Sequence, residues 1–156
     1  MIAQNLIFEN HIIDARLFKK VIEVYSISGF KKEAGLFFKN YELDVSSEVR
    51  AQYLCYSNAL IDFNNENFST ETISKLQEQT QLKHNPQLYL GIKSLLLKIH
   101  FEKDNYDDYI RLIDTTKKYL DRKNDYLHNN TVEECKNFLD ILKYISGSVF
   151  SGLLLA

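Results

Sequence analysis

Apolar residues along this chain recur at helical spacing, and the stripes they form come in pairs. Ile13, Leu17, Val21 and Val24/Tyr25 share one face, with Asn10 as the cap that opens it and Gly29 as the stop. Phe30, Ala34, Phe37 and Tyr41 mark a second face, so the spacing predicts a first helix pair over 11–28 and 30–41. The polar run Glu42 to Ser47 reads as a connector. A third helix runs through Val49, Tyr53, Tyr56, Leu60 and Phe63. Its partner, from Phe68, has only Ile73 and Leu76 as clear anchors and is assigned as helix because the pairing demands it. Asn85-Pro86 opens the next one, since proline fits a first helical position where no N–H is needed. Leu88, Ile92, Leu95/Leu96 and Ile99 follow, and Leu96 and Phe101 are expected to be deeply buried. Tyr106, Tyr109/Ile110, Ile113 and Leu120 mark its partner.

Three columns repeat every 38 residues: an aromatic at 25, 63 and 101, a turn former at 29, 67 and 105, and a second aromatic at 30, 68 and 106. Gly29, Asn67 and Asn105 are the residue types that enter a left-handed conformation most easily, which a helix end requires. A period in this range signals a repeat array. The expected fold is therefore all-α: an α-solenoid of about three antiparallel helix pairs in one domain, with repeats at roughly 10–45, 46–84 and 85–126. A capping helix over 130–150 closes it, opened by a Thr131/Glu134 capping box and carrying Val132, Cys135, Phe138/Leu139, Leu142, Ile145 and Val149. Val149, Phe150, Leu153, Leu154 and Leu155 are expected to pack on the array or on a second copy.

The junction Ile99-His100-Phe101-Glu102-Lys103-Asp104-Asn105-Tyr106-Asp107-Asp108-Tyr109 resembles the turn between helices A and B of tetratricopeptide repeats. The preceding Ser94-Leu95-Leu96-Leu97-Lys98-Ile99 resembles bacterial tetratricopeptide-like proteins of unassigned function. The likeness covers roughly 11–125, with a period longer than that family's usual ~34 residues. It implies a curved array whose first helices line an inner wall for a peptide or partner protein.

Composition narrows the chemistry. With 156 residues, a formal net charge of −2 and mixed charges along its length, the chain shows no basic footprint for nucleic acid. One proline and five glycines favour long helices. Cys55 and Cys135 lack a CxxC or a nearby histidine and read as reduced core residues in the cytoplasm. His11, His84, His100 and His128 do not pair at ligand spacing and read as surface or junction residues. Asp104, Asp107 and Asp108 read as helix-start residues, since a calcium loop needs a glycine at its sixth position, where Tyr109 stands, and a distal glutamate at its twelfth. Lys117-Lys118 and Arg122-Lys123, interleaved with Asp114, Asp121 and Asp125, read as a solvated face. No catalytic residues, metal or cofactor are expected, nor is a membrane span, the apolar end from Leu153 being too short.

The expected function is a non-catalytic scaffold for a protein or peptide partner, with self-association into a homodimer through the apolar C-terminus as the alternative. Counting back from the aromatic column puts Phe18 and Ile22, then Tyr53, Tyr56 and Leu60, then Ser94, Lys98 and Glu102 on the wall that would hold the peptide.

Overall fold

The computed structural model describes residues 12–46, 49–67, 69–80, 85–122 and 129–153, the last segment without the side chains of 129–131 and 149–153. Among them are seven α-helices: α1 (Ala15–Ile27), α2 (Lys31–Tyr41), α3 (Arg50–Asn64), α4 (Thr70–Gln79), α5 (Pro86–Glu102), α6 (Tyr106–Arg122) and α7 (Asn129–Leu153). The described residues form no strand beyond one isolated parallel bridge, Ile13 to Val45. The all-α expectation holds, and each predicted helix is present. Two compact units divide the chain, Met1–Leu82 with α1 to α4 and Lys83–Ala156 with α5 to α7.

The three reversals share one backbone pattern. Phe30 N–H bonds to Tyr25 C=O, Asn67 to Asp62 and Asn105 to His100, each at 2.9 Å. One residue earlier, Gly29 bonds to Ser26, Glu66 to Phe63 and Asp104 to Phe101. These are the two bonds of a Schellman closure, and its left-handed residue is Gly29, Glu66 or Asp104, with φ of 79°, 58° and 52°. The turn column is therefore corrected. Asn67 and Asn105 stand where Phe30 does, and the units repeat at 37 and then 38 residues. Asn105 serves the next helix instead: its side-chain oxygen accepts from Asp108 N–H at 3.4 Å.

In the first unit α1 packs on α2 and α3, and α3 packs on α2 and α4. The buried face of α1 is Ala15, Phe18 and Ile22, rotated from the expected stripe, with Leu17 and Val24 at the surface. Asp14 caps α1, accepting from the backbone of Arg16 and Leu17; the cap expected at Asn10 lies outside the described residues, as does Phe68. Phe18 contacts Phe37 and Phe38 at ring-centroid distances of 5.4 and 5.8 Å. The 42–47 connector is less polar than its composition suggests: after a 3-10 turn at Glu42–Asp44, Val45 is buried. Ile13 N–H donates to Asp44 C=O at 2.7 Å and Ser46 N–H to Ile13 C=O at 3.0 Å, tying the connector to the approach to α1. Leu76, fully buried, anchors α4 as expected.

In the second unit α6 packs on both α5 and α7. Leu88, Ile92, Leu95, Leu96 and Ile99 are all buried, as the spacing predicts. Phe101 is not: it is 39% exposed, while His100 is buried. The one-residue slip explains this, because the counterpart of Tyr25 is His100, and the next residue turns about 100° toward the rim. Leu97, Tyr109, Ile113, Leu120, Val132 and Leu139 form the core cluster.

Three ion pairs join α6 to α7. Asp121 meets Lys136, Lys117 meets Asp140, and Asp114 meets Lys143, the last at 2.9 Å. Each descent of four and then three residues on α6 matches an equal ascent on α7, the register of antiparallel helices. Asp114, Lys117 and Asp121 thus lie along the edge toward α7, while Lys118, Asp121 and Arg122 stay exposed, in keeping with the solvated face expected for this stretch; Lys123 and Asp125 lie outside the described residues. The capping box is corrected too, since α7 starts two residues before Thr131 and runs unbroken through Gly147. The expected packing of the tail from Val149 onward lies outside the described side chains.

Left-handed Glu66 and Asp104 each carry a conformational cost that glycine avoids. Glu66→Gly and Asp104→Gly should each stabilise by about 1 kcal/mol in urea unfolding, and Gly29→Val should destabilise. Loss of stability in either glycine variant would contradict the placement of the closures.

Candidate functional site

Of the residues assigned to a peptide-binding wall, Phe18, Ile22, Tyr53, Tyr56 and Leu60 fall in the first unit and Ser94, Lys98 and Glu102 in the second. The first five are all buried, which corrects the expectation of an open wall there. The reason is that α1 lies against α3, so the faces counted back from the aromatics meet each other. Ser94, Lys98 and Glu102 form an exposed line along α5 at i, i+4 and i+8.

Tyr56 brings a polar group into the α1–α3 seam. Its hydroxyl donates to Glu23 Oε1 at 3.0 Å, and Lys19 Nζ donates to the same oxygen at 2.7 Å. Lys20 approaches the other oxygen at 3.8 Å, and Lys19 also lies 5.2 Å from the centre of the Tyr56 ring. Burial, then the charge of Glu23, then this hydrogen bond hold the Tyr56 pKa well above the ordinary tyrosine value. The phenol therefore stays a donor at neutral pH. The cluster satisfies itself and pins α1 to α3.

In the second unit His100 is only 4% exposed, which corrects the surface part of its assignment while leaving it at the α5–α6 junction. Its Nδ1 has no hydrogen-bond partner. Burial lowers its pKa, Asp108 opposes that effect, and Arg111 and Lys103 add to it. The other three histidines lie outside the described residues. Tyr89 and Tyr119 stack at 3.9 Å between ring centroids, and burial followed by the Tyr119 hydroxyl raises the Tyr89 pKa to about 12. Cys55 and Cys135 are free and half-buried, and burial pushes both thiols up, away from the thiolate a nucleophile needs. Among the described residues no group of three or more His, Cys, Asp or Glu is placed to hold a metal ion. No described helix is long and apolar enough to cross a membrane.

Three surface features were not singled out in the sequence. A concavity of about 500 Å³ opens between α3 and α4, with Cys55, Asn58, Asp62, Thr72 and Lys75 in its wall. A shallower cleft of about 380 Å³ lies beside α2, lined by Lys31, Lys32, Gly35, Leu36, Lys39 and Asn65. The third is on α7, whose predicted single stripe splits in two. Val132 and Leu139 are buried, while Phe138, Ile141, Tyr144 and Ile145 face outward. The spacing 138, 141, 145 is the signal for this second stripe, and the single stripe expected for α7 merges Phe138 and Ile145 with the buried face.

No family model matches the chain, and neither a curated protein nor a solved structure matches it.

Tyr56→Phe should cost about 0.5–1.5 kcal/mol at neutral pH, since Glu23 keeps Lys19 as a partner. The raised folded pKa of Tyr56 means its contribution is complete below the unfolded value near 10 and is lost as pH climbs through the folded one. Stability should then fall less steeply above about pH 10 in the variant, read by urea unfolding at stepped pH.

The His100 pKa is shifted the other way. A neutral buried imidazole stabilises above about pH 6.5, and that contribution is lost as pH drops toward the lowered folded value. The urea midpoint should decline on acidification below about pH 6.5 more in the native chain than in His100→Gln. Equal declines would show that the imidazole titrates freely in the folded state.

Proposed function

We propose that this chain is a protein-binding module of the tetratricopeptide-like kind, in which stacked helical hairpins present α7 to a helix of a partner protein. In favour of the array is the arrangement of the first unit, where α1 packs both on its hairpin partner α2 and on α3 of the following pair. The single observation that carries the binding reading is the outward stripe of α7. Ile141 is 55% and Tyr144 81% exposed, beside Phe138 and Ile145. Isolated exposed apolar residues are ordinary, but four on one face at i, i+3, i+6 and i+7 form the pattern by which a helix receives another helix.

The stripe cannot turn inward. Lys136, Asp140 and Lys143 are held by α6, and Val132 and Leu139 occupy the core, so the rotation of α7 is set by contacts already made. Tyrosine among the four supplies contact area at small entropic cost, as recognition surfaces favour.

A second reading, pairing of two copies, draws on the symmetry of the stripe. Phe138 and Ile145 lie equally far from its midpoint, so an antiparallel pairing lays Phe138 of one copy against Ile145 of the other.

One variant, Phe138→Glu/Ile141→Glu, tests both readings, because these exposed positions leave the core intact. Proteins cross-linked to the native chain in a source lysate should be lost with the variant while its helical circular dichroism is unchanged. A dimer by light scattering that becomes a monomer in the variant would favour the second reading. An unchanged cross-linking profile and an unchanged mass would reject the stripe as an interface.

A further inference from the structure

We propose that the cleft beside α2 is a docking site for an acidic segment of a partner protein, one that sets an aliphatic side chain between its carboxylates. The cleft belongs to the first unit and α7 to the second, and a docking site there goes beyond the function proposed above.

The lining explains the chemistry. Lys31, Lys32 and Lys39 surround Leu36, which is 60% exposed, and Gly35, which leaves the helix surface bare. Lys31, Gly35 and Lys39 follow one another at i, i+4 and i+8, and Leu36 sits between Lys32 and Lys39 at i−4 and i+3. An apolar gap is thereby framed by three ammonium groups. Asn65, at the end of α3, adds an amide from across the cleft. Among the described residues none of these lysines makes an ion pair, although most lysines of α1, α6 and α7 do. Glu33 lies on the neighbouring row and Glu66 follows Asn65, but the lining itself carries no carboxylate.

Two details show that the fold itself does not call for this composition. Glycine inside a helix is destabilising relative to alanine. A Cβ at Gly35 would meet nothing within 4 Å, so no neighbour requires the gap. Lys31 and Lys32 stand in the first turn of α2, at the positive end of the helix dipole, where cations are disfavoured. An anionic ligand over the cleft would relieve that repulsion and fill the space above Gly35.

The dimensions suit a peptide. Lys31 to Lys39 spans roughly 12 Å along the axis, the reach of about four extended residues. A single-stranded nucleic acid would call for aromatic or arginine platforms, and the lining has neither. An anionic membrane surface is held by clusters of about four to eight basic residues, more than the cleft supplies. The chain's net charge of −2 also disfavours a long polyanion.

The test pans a random-peptide display library on the full chain and measures the best clones by fluorescence anisotropy. Two variants accompany it: Lys32→Glu/Lys39→Glu, which reverses the frame, and Gly35→Leu, which fills the gap. Selected peptides should carry two or more Asp or Glu around a Leu, Ile, Val or Met, and added salt should weaken them. Both variants should lower affinity at least about tenfold. Gly35→Leu should keep or raise the thermal midpoint, which separates lost binding from lost folding. Phe138→Glu/Ile141→Glu should leave the affinity unchanged, so failure of the α7 reading would not touch this one. Peptides without acidic enrichment, or affinities unmoved by either variant, would overturn the proposal. Tighter binding of an oligothymidine or of phosphatidylserine vesicles, lost in the same variants, would also overturn it by giving the cleft to a different ligand.

Discussion

The closure at each helix reversal places everything that follows it. Two backbone hydrogen bonds, from the left-handed residue and from the one after it, turn the chain back within four residues at 28–30, 65–67 and 103–105. They satisfy carbonyls that a helix end would otherwise leave open. Because the closure is made by backbone, it tolerates a glutamate or an aspartate at the left-handed position, at a conformational cost. It also fixes which side chains sit one turn earlier. In the third hairpin that turn brings His100 inward and leaves Phe101 on the rim, which is how a titratable group comes to be buried at the α5–α6 junction.

The second unit adds a device of another kind. Asp114, Lys117 and Asp121 on α6 alternate in sign with Lys143, Asp140 and Lys136 on α7. Exposed ion pairs are each worth little, typically about 0.2–1 kcal/mol. Their effect here is on register and rotation: a slip by one turn would bring like charges together and withdraw Val132 and Leu139 from the core. The same constraint leaves Phe138, Ile141, Tyr144 and Ile145 outward. In the first unit the cluster of Lys19, Glu23 and Tyr56 does a comparable job in the α1–α3 seam, where a satisfied polar network sets one arrangement among several that apolar packing alone would allow.

The α2 cleft and the α7 stripe both lie where local sequence departs from what its own unit needs for stability. Gly35 weakens a helix without any packing reason, and the second stripe of α7 adds apolar surface that the core does not use. Departures of that kind, with the rest of the chain locally consistent, are where function is to be sought.

The sequence by itself determined that the chain is helical, where its hairpins turn to within a residue, and most of the buried positions of α5 and α6. Those follow from local periodicity, from proline and glycine placement, and from the apolar content of each stripe. It did not determine which of two adjacent residues takes the left-handed conformation, since Asp104 and Asn105 are both tolerated there and only the bonds to Phe101 and His100 distinguish them. It also gave the wrong face to α1, where Leu17 and Phe18 are equally apolar and contact with α2 and α3 selected Phe18. The sequence places Tyr53 and Tyr56 on an open wall because a helical wheel shows which residues share a face but not what that face meets. Only tertiary structure, by laying α1 on α3 and α6 on α7, decided which apolar faces are core and which are left for a partner.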